Sequence, residues 1–265
     1  MKIYTKESLI EKLNEIRAMG WIQSRRPGNA GAVGNTLEDL LGIEENNLPI
    51  PNAAEWELKC QRINARARAA SLVTLFHMEP SPQAMRFVSA LFLPKYGWVH
   101  KEAGARYPAG EMSFRQTIGC AARSDRGFCV VIDRAAQKVS ISFDAKTVSK
   151  KHDVWLNTVA GRVGLGELDP QPYWGFTDLF HKAGAKLHNC FLVGARVKKQ
   201  NGVEFFQYES IQMLSTLSLH KFIDALEAGV ILVDFDARTG HNHGTKFRLR
   251  QGRMAELYES VTVIA

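Results

Sequence analysis

Glu57 and Lys59 stand two residues apart in AEWELKC. In an extended strand, side chains at i and i+2 project from one face about 7 Å apart. A carboxylate and an ammonium so placed can flank one metal-bound water, which is chemistry suited to phosphodiester hydrolysis. A divalent cation serves there as Lewis acid and water activator, and a second cation steadies the nucleophile or the developing charge. Mg²⁺, a hard ion, takes oxygen ligands. Such sites place a further acid shortly before the strand, but five residues before Glu57 the chain has Asn52. A neutral amide keeps a carbonyl oxygen for coordination and lacks the charge. Alternation also sets Glu55 on the Glu57 face. The same letters suit an ordinary half-buried strand, with Trp56, Leu58 and Cys60 turned inward and the charges solvated.

A second concentration of polar chemistry lies in DFDARTGHNHGTKFRLR, residues 234 to 250. It reads as a strand, a Gly-bounded turn and a returning strand, carrying Asp236, Arg238, His241, His243, Lys246, Arg248 and Arg250. A two-stranded ribbon fits a major groove, where Arg or His donates to guanine N7 and O6 and Asp accepts from cytosine N4. His241 and His243 are also half of a metal site, though no third ligand is close in sequence. A solvated hairpin is the plain alternative. Arg25 and Arg26 open a loop with Gly28, Gly31 and Gly34 that suits phosphate contacts or a simple turn. The basic stretches 122 to 127 and 146 to 153 read the same two ways. His77 closes the strand after Lys59, within reach of a metal site or a scissile phosphate, or as a hydrogen-bonded strand end.

The elements that must position these residues read as an α/β mixture. Leu9, Ile10, Leu13, Ile16 and Met19 share a helical face over 6 to 19, with Thr5 as cap. A second helix follows the glycine loop, capped by Asn35 or Thr36 and ended by Gly42, with Glu38 in its first turns. Strands are expected at 55 to 60, 70 to 77 and 87 to 94. Hairpins are expected across RAAQ and across Asn201 and Gly202, with further helices at 174 to 184 and 218 to 228. The 265 residues carry 34 Lys and Arg against 27 Asp and Glu, a net charge of +7 that favours a polyanionic partner. Four scattered cysteines form no C-x-x-C pair, and no apolar run has the length of a leader or a membrane span. The reading is a cytoplasmic protein without a membrane partner.

The run GNAGAVGNTLEDLLGIEENNLPIPNAAEWELKCQR resembles the amino-terminal half of the MvaI/BcnI restriction endonucleases. These are relatives of the mismatch-repair nickase MutH in the PD-(D/E)xK superfamily. The family has a Gly-rich loop entering a helix with a glutamate, then N-N-L-P-I-P, an aspartate and E-L-K. The resemblance implies that Glu57 is a metal ligand, that Lys59 positions the attacking water, and that Glu38 is an accessory acid. Asn52 falls on the family's metal-binding aspartate. It further implies a restriction-endonuclease-like, MutH-like fold with two lobes around a DNA-binding cleft. Residues 1 to 110 would form the catalytic lobe and 111 to 265 the recognition lobe, whose strands have the option of returning to the catalytic sheet. The implied activity is that of a type II restriction endonuclease from a bacterial cytoplasm, using Mg²⁺. As a monomer it would cut double-stranded DNA one strand at a time at a G/C-rich CC-x-GG-like site. Two alternatives stand beside it: a sequence-specific DNA-binding protein without cleavage, which Asn52 suggests, and a MutH-like repair nickase.

Overall fold

The computed structural model describes residues 4–26, 28, 31–43, 55–63, 72–81, 88 and 92–265. Asn52 and the N-N-L-P-I-P segment lie outside the described residues. Thr5 opens α1 (Lys6–Ala18) through a reciprocal capping box with Ser8, and Leu9, Leu13 and Ile16 are buried. After β1 (Ile22–Gln23), α2 (Ala32–Leu41) ends on Gly42, whose φ of 68° suits the left-handed cap only glycine takes freely. Asn35 and Thr36, expected as caps, lie inside α2, which starts earlier because Ala32 and Val33 are themselves buried. Thr36 is buried as well, its hydroxyl accepting from the Arg25 amide at 3.4 Å.

β2 (Trp56–Arg62) and β3 (Leu72–His77) form where alternation and apolar content place them. The strand expected at 87 to 94 is not found in the described part. Leu93 opens a short helix, α3 (Leu93–Tyr96), and Pro94 sits in its first turn, where a missing N–H costs nothing. β4 (Trp98–Val99) and β5 (Met112–Ile118) lead to the hairpin of β6 (Phe128–Asp133) and β7 (Lys138–Phe143). Then come α4 (Asp153–Val163), β8 (Tyr173–Gly175) and α5 (Phe176–Leu187). β9 (Asn189–Gln200) and β10 (Val203–Leu217) are joined by Asn201 and Gly202 at φ 51° and 80°, the positive values that a two-residue hairpin turn demands. The chain ends with α6 (Leu219–Glu227), β11 (Ile231–Arg238), β12 (His241–Asn242), β13 (Lys246–Arg250) and β14 (Tyr258–Val263).

Two compact units result, each drawn from separated stretches: Met1–Val73, His181–Phe222 and Arg250–Ala265 in one, Thr74–Phe180 and Ile223–Leu249 in the other. The first holds a mixed sheet in the order β1-β10-β9-β2, with β14 also paired to β10. β2 runs parallel to β9, Glu57 opposite Cys190 and Lys59 opposite Leu192. One face of this sheet packs with α1 and α2 through Trp56, Leu58, Phe191, Val193, Phe206 and Tyr208. Period-two alternation therefore puts Glu57 and Lys59 on the other face. The far end of β2 is fixed by a two-point ion pair from Arg62 to Glu204 at 2.9 and 3.0 Å. Gln251 adds a 2.7 Å bond to the Arg62 carbonyl.

The second unit has a sheet in the order β3-β13-β11-β5-β4, with β12 beside β11, and a smaller β6-β7-β8 sheet. Its core is aromatic. Phe92 stacks on Phe114 at 4.7 Å, and Phe235 meets both rings edge-on at 5.5 Å. Phe76 stacks on Phe247 at 5.0 Å, with Trp174 edge-on to Phe247 at 5.1 Å. Each ring buried this fully contributes on the order of 2–3 kcal/mol. This apolar packing fills one face of the sheet and leaves the opposite face to carry charge.

Candidate active site and nucleic-acid interface

Glu57 is 1% exposed, a depth that the alternating pattern of β2 alone does not announce. A carboxylate taken out of water costs several kcal/mol unless its charge is met. Lys59 meets it: its Nζ lies 2.7 Å from Glu57 Oε1, as i and i+2 on one strand face allow. A second ammonium, that of Lys186 on α5, stands 3.8 Å from the same oxygen. Beside them Cys190 is fully buried, and burial pushes its thiol up to about 12, so it stays neutral. Tyr258, also buried, donates to the Leu187 carbonyl at 2.8 Å and closes this flank. Among the described residues no three His, Cys, Asp or Glu side chains converge into a metal cage. The carboxylate is nevertheless a hard oxygen donor of the kind that Mg²⁺ takes.

The remaining expected site residues are spread over both units. Glu38 lies on α2; burial, and to a lesser extent the Glu38 charge, raises the thiol of Cys60, which alternates to the strand face opposite Glu57 and Lys59. Arg26 pairs with Asp39 at 3.1 Å, and the Arg25 backbone is tied to Thr36. His77 is exposed at the end of β3, in the second unit, and is close to Gly244. The next amide, Met78, donates to the Thr245 carbonyl at 2.9 Å.

The hairpin expected at 234 to 250 forms, with Asp234 opposite Lys246 and Val233 opposite Phe247. β11 alternates strictly, Val233, Phe235 and Ala237 buried and Asp234, Asp236 and Arg238 on the other face. The polar face is a lattice of ion pairs. Lys246 reaches Asp236 at 3.2 Å, Arg248 reaches Asp234 at 3.2 Å, and Arg115 of β5 reaches Asp236 at 2.7 Å. Arg238 pairs with the buried Glu111 at 3.0 Å and lies 4.7 Å over the Tyr107 ring. At the tip, His241 and His243 are exposed, with ring nitrogens 3.3 Å apart. Arg250 is exposed at the end of β13. The result is a ladder of alternating donors and acceptors on one face of the sheet.

Several partners in this ladder escaped the sequence reading. Arg115 and Thr117 come from β5, where M-S-F-R-Q-T-I alternates well enough to have been read as a strand. Thr117 donates to Asp234 at 2.7 Å. Glu79 shapes the turn, accepting from the Thr245 amide at 2.7 Å and from the Asn242 side chain at 3.4 Å. Lys186 and Glu111 carried no local signal, since only tertiary packing brings them to Glu57 and Arg238. The basic stretches are partly spent inside the fold. Arg123 donates to Gly127 O and Ser142 Oγ at 2.8 and 2.9 Å, and Arg126 lies 4.0 Å over the Trp98 ring.

A sequence profile of the MvaI/BcnI restriction endonuclease family matches residues 10–258. No curated relative matches the chain. Among solved structures, a restriction endonuclease MvaI–cognate DNA substrate complex is similar, with a TM-score of 0.75 and 23% identity over 99% of this chain and 100% of that one. Restriction endonuclease MvaI in the absence of DNA is similar with a TM-score of 0.55 and 24% identity over the full length of both chains. At these identities the structural likeness speaks for the fold, a mixed α/β architecture with several sheets. The profile spans nearly the whole chain, including the helix with Glu38, the E-L-K strand and the polar hairpin, so the chain belongs to the MvaI/BcnI restriction endonuclease family, whose members are type II enzymes that cut DNA site-specifically.

Proposed function

We propose that this chain is a Mg²⁺-dependent endonuclease that hydrolyses duplex DNA at a short G/C-rich site of the CC-x-GG kind, as a monomer and one strand at a time. The observation that carries the reading is the buried Glu57 carboxylate 2.7 Å from Lys59, in a chain whose family consists of restriction endonucleases. E-x-K occurs once in the sequence, so one chain offers one such site and one phosphodiester per visit.

Glu57 and the side-chain oxygen of Asn52 would hold the cation. When bound, it supplies Lewis acidity and activates water. Lys59 donates its N–H groups to the nucleophile and offsets its charge, held in place by the ion pair with Glu57. Glu38 adds negative charge on α2 as an accessory acid. Cys190 and Tyr258 form a neutral wall that excludes water and offers no competing thiolate. In the second unit Arg238, His241, His243, Lys246 and Arg248 donate to guanine edges, Asp236 accepts from cytosine, and His77 stands beside the reading turn. Arg25, Arg26 and Arg250 take phosphates.

A second reading, binding without efficient cleavage, is favoured by Asn52, which lacks the charge an aspartate would bring to the cation. The two share one test. Supercoiled plasmid is incubated with the protein in Mg²⁺ or in EDTA, and the ends are mapped. Slow, Mg²⁺-dependent nicking that converts to linear product with ends at CC-x-GG sites is expected. Ends scattered at random, or cutting that persists in EDTA, would overturn the proposal.

A further inference from the structure

Two ammoniums share one oxygen of Glu57. Lys59 is the neighbour that the strand itself provides, at 2.7 Å. Lys186 comes from α5, 3.8 Å from the same Oε1 and 26% exposed, while Glu57 is 1% exposed. One carboxylate needs one counter-charge, so the second leaves the trio of Glu57, Lys59 and Lys186 with a net positive charge. A long ammonium stem held at a buried acid gives up rotamer freedom. A lysine with no role at the acid would gain by turning to solvent.

We propose that Lys186 is a positioning residue of the nuclease site: with Lys59 it aims the Glu57 carboxylate, and its charge sets how tightly the site takes a divalent cation. The inference rests on Glu57 being a metal ligand. Any cation arriving at Glu57 Oε1 comes within a few ångströms of the Lys186 ammonium. Repulsion between charges ~4 Å apart is substantial even at an effective dielectric of ~20, and a divalent ion doubles it. Lys186 thus keeps metal occupancy low in the free protein, and the phosphates of bound DNA supply the negative charge that offsets it. Metal loading and DNA binding become coupled through one side chain.

The test uses the full chain without DNA and Mn²⁺ as probe, with binding followed by electron paramagnetic resonance. Lys186→Met, which keeps the stem and drops the charge, should bind Mn²⁺ about tenfold more tightly or better. Lys186→Arg, which keeps the charge, should stay within about twofold of the unaltered protein. Thermal melting in EDTA checks that each variant is folded, and Lys186→Gln serves as a second charge-removing variant should Lys186→Met not fold. A lysine that only packs would lower the melting temperature and leave Mn²⁺ affinity where it was, and that result overturns the inference. So does a Lys186→Arg protein that behaves like Lys186→Met. Glu57→Gln separates the two levels. Mn²⁺ binding lost in Glu57→Gln but indifferent to Lys186→Met leaves Glu57 a ligand and removes Lys186 from the account. Binding that survives in Glu57→Gln overturns the metal assignment and the inference with it.

Discussion

Arg248 and Asp234 show what the readable face does with its charges. The guanidinium is 3.2 Å from its carboxylate, and the two side chains are 30% and 14% exposed. The pair is part-buried on the polar face of the sheet. Under the proposed function its use is geometric: the carboxylate would fix where the donors point before DNA arrives. Arg248→Ala or His243→Ala should therefore cost roughly 1–3 kcal/mol of binding on the specific site and much less on random duplex. Fluorescence anisotropy on the two DNAs measures this, and equal losses on both would reduce these residues to phosphate contacts. Glu57 is the opposite case. It is buried, and its pairing is what makes that burial tolerable.

At the level of elements, the reading depends on close turns as much as on strands. Gly127 has φ 79°, and a Cβ there would stand 2.5 Å from the Asp144 carbonyl oxygen and 3.1 Å from Val148 Cγ2. Gly127→Ala should destabilise the protein by roughly 1–3 kcal/mol and lower the melting temperature by several degrees. A calorimetric scan that leaves it unchanged would contradict the packing of the β6 edge. Much of this layer was legible. The Thr5 cap, the Gly42 stop, the two hairpins and the 234–250 ribbon follow from local chemistry, because caps and turns are decided within a few residues. The start of α2 was misplaced because burial of Ala32 and Val33 outweighs a side-chain cap. α4, β5 and β14 went unread. β14 is nearly all exposed, so its alternation leaves no apolar signature. The parallel pairing of β2 with β9, the depth of Glu57 and the approach of Lys186 are tertiary facts that no local pattern encodes.

For the whole molecule, a charge of +7 with Lys and Arg spread over both units favours a polyanion and predicts steep salt dependence. Neutralising phosphates releases counterions, so a log-log plot of affinity against salt should fall with a slope steeper than about −2. A shallower slope, read by anisotropy across a salt series, would mean that few of these cations touch DNA. The central claim is that Glu57, Lys59 and position 52 form a hydrolytic site weakened by a missing charge. A unit charge ~4 Å from a cation is worth roughly 4 kcal/mol at an effective dielectric of ~20, and desolvation takes back much of it. Even ~3 kcal/mol retained is about a hundredfold in rate. The decisive measurement is the rate of Mg²⁺-dependent plasmid cleavage by the protein, by Asn52→Asp, and by Asn52→Asp combined with Glu57→Ala or Lys59→Ala. The account predicts slow cutting by the first, a gain of about a hundredfold or more in the second, and loss of cutting in the combined variants. Equal rates for the protein and its Asn52→Asp variant would contradict it.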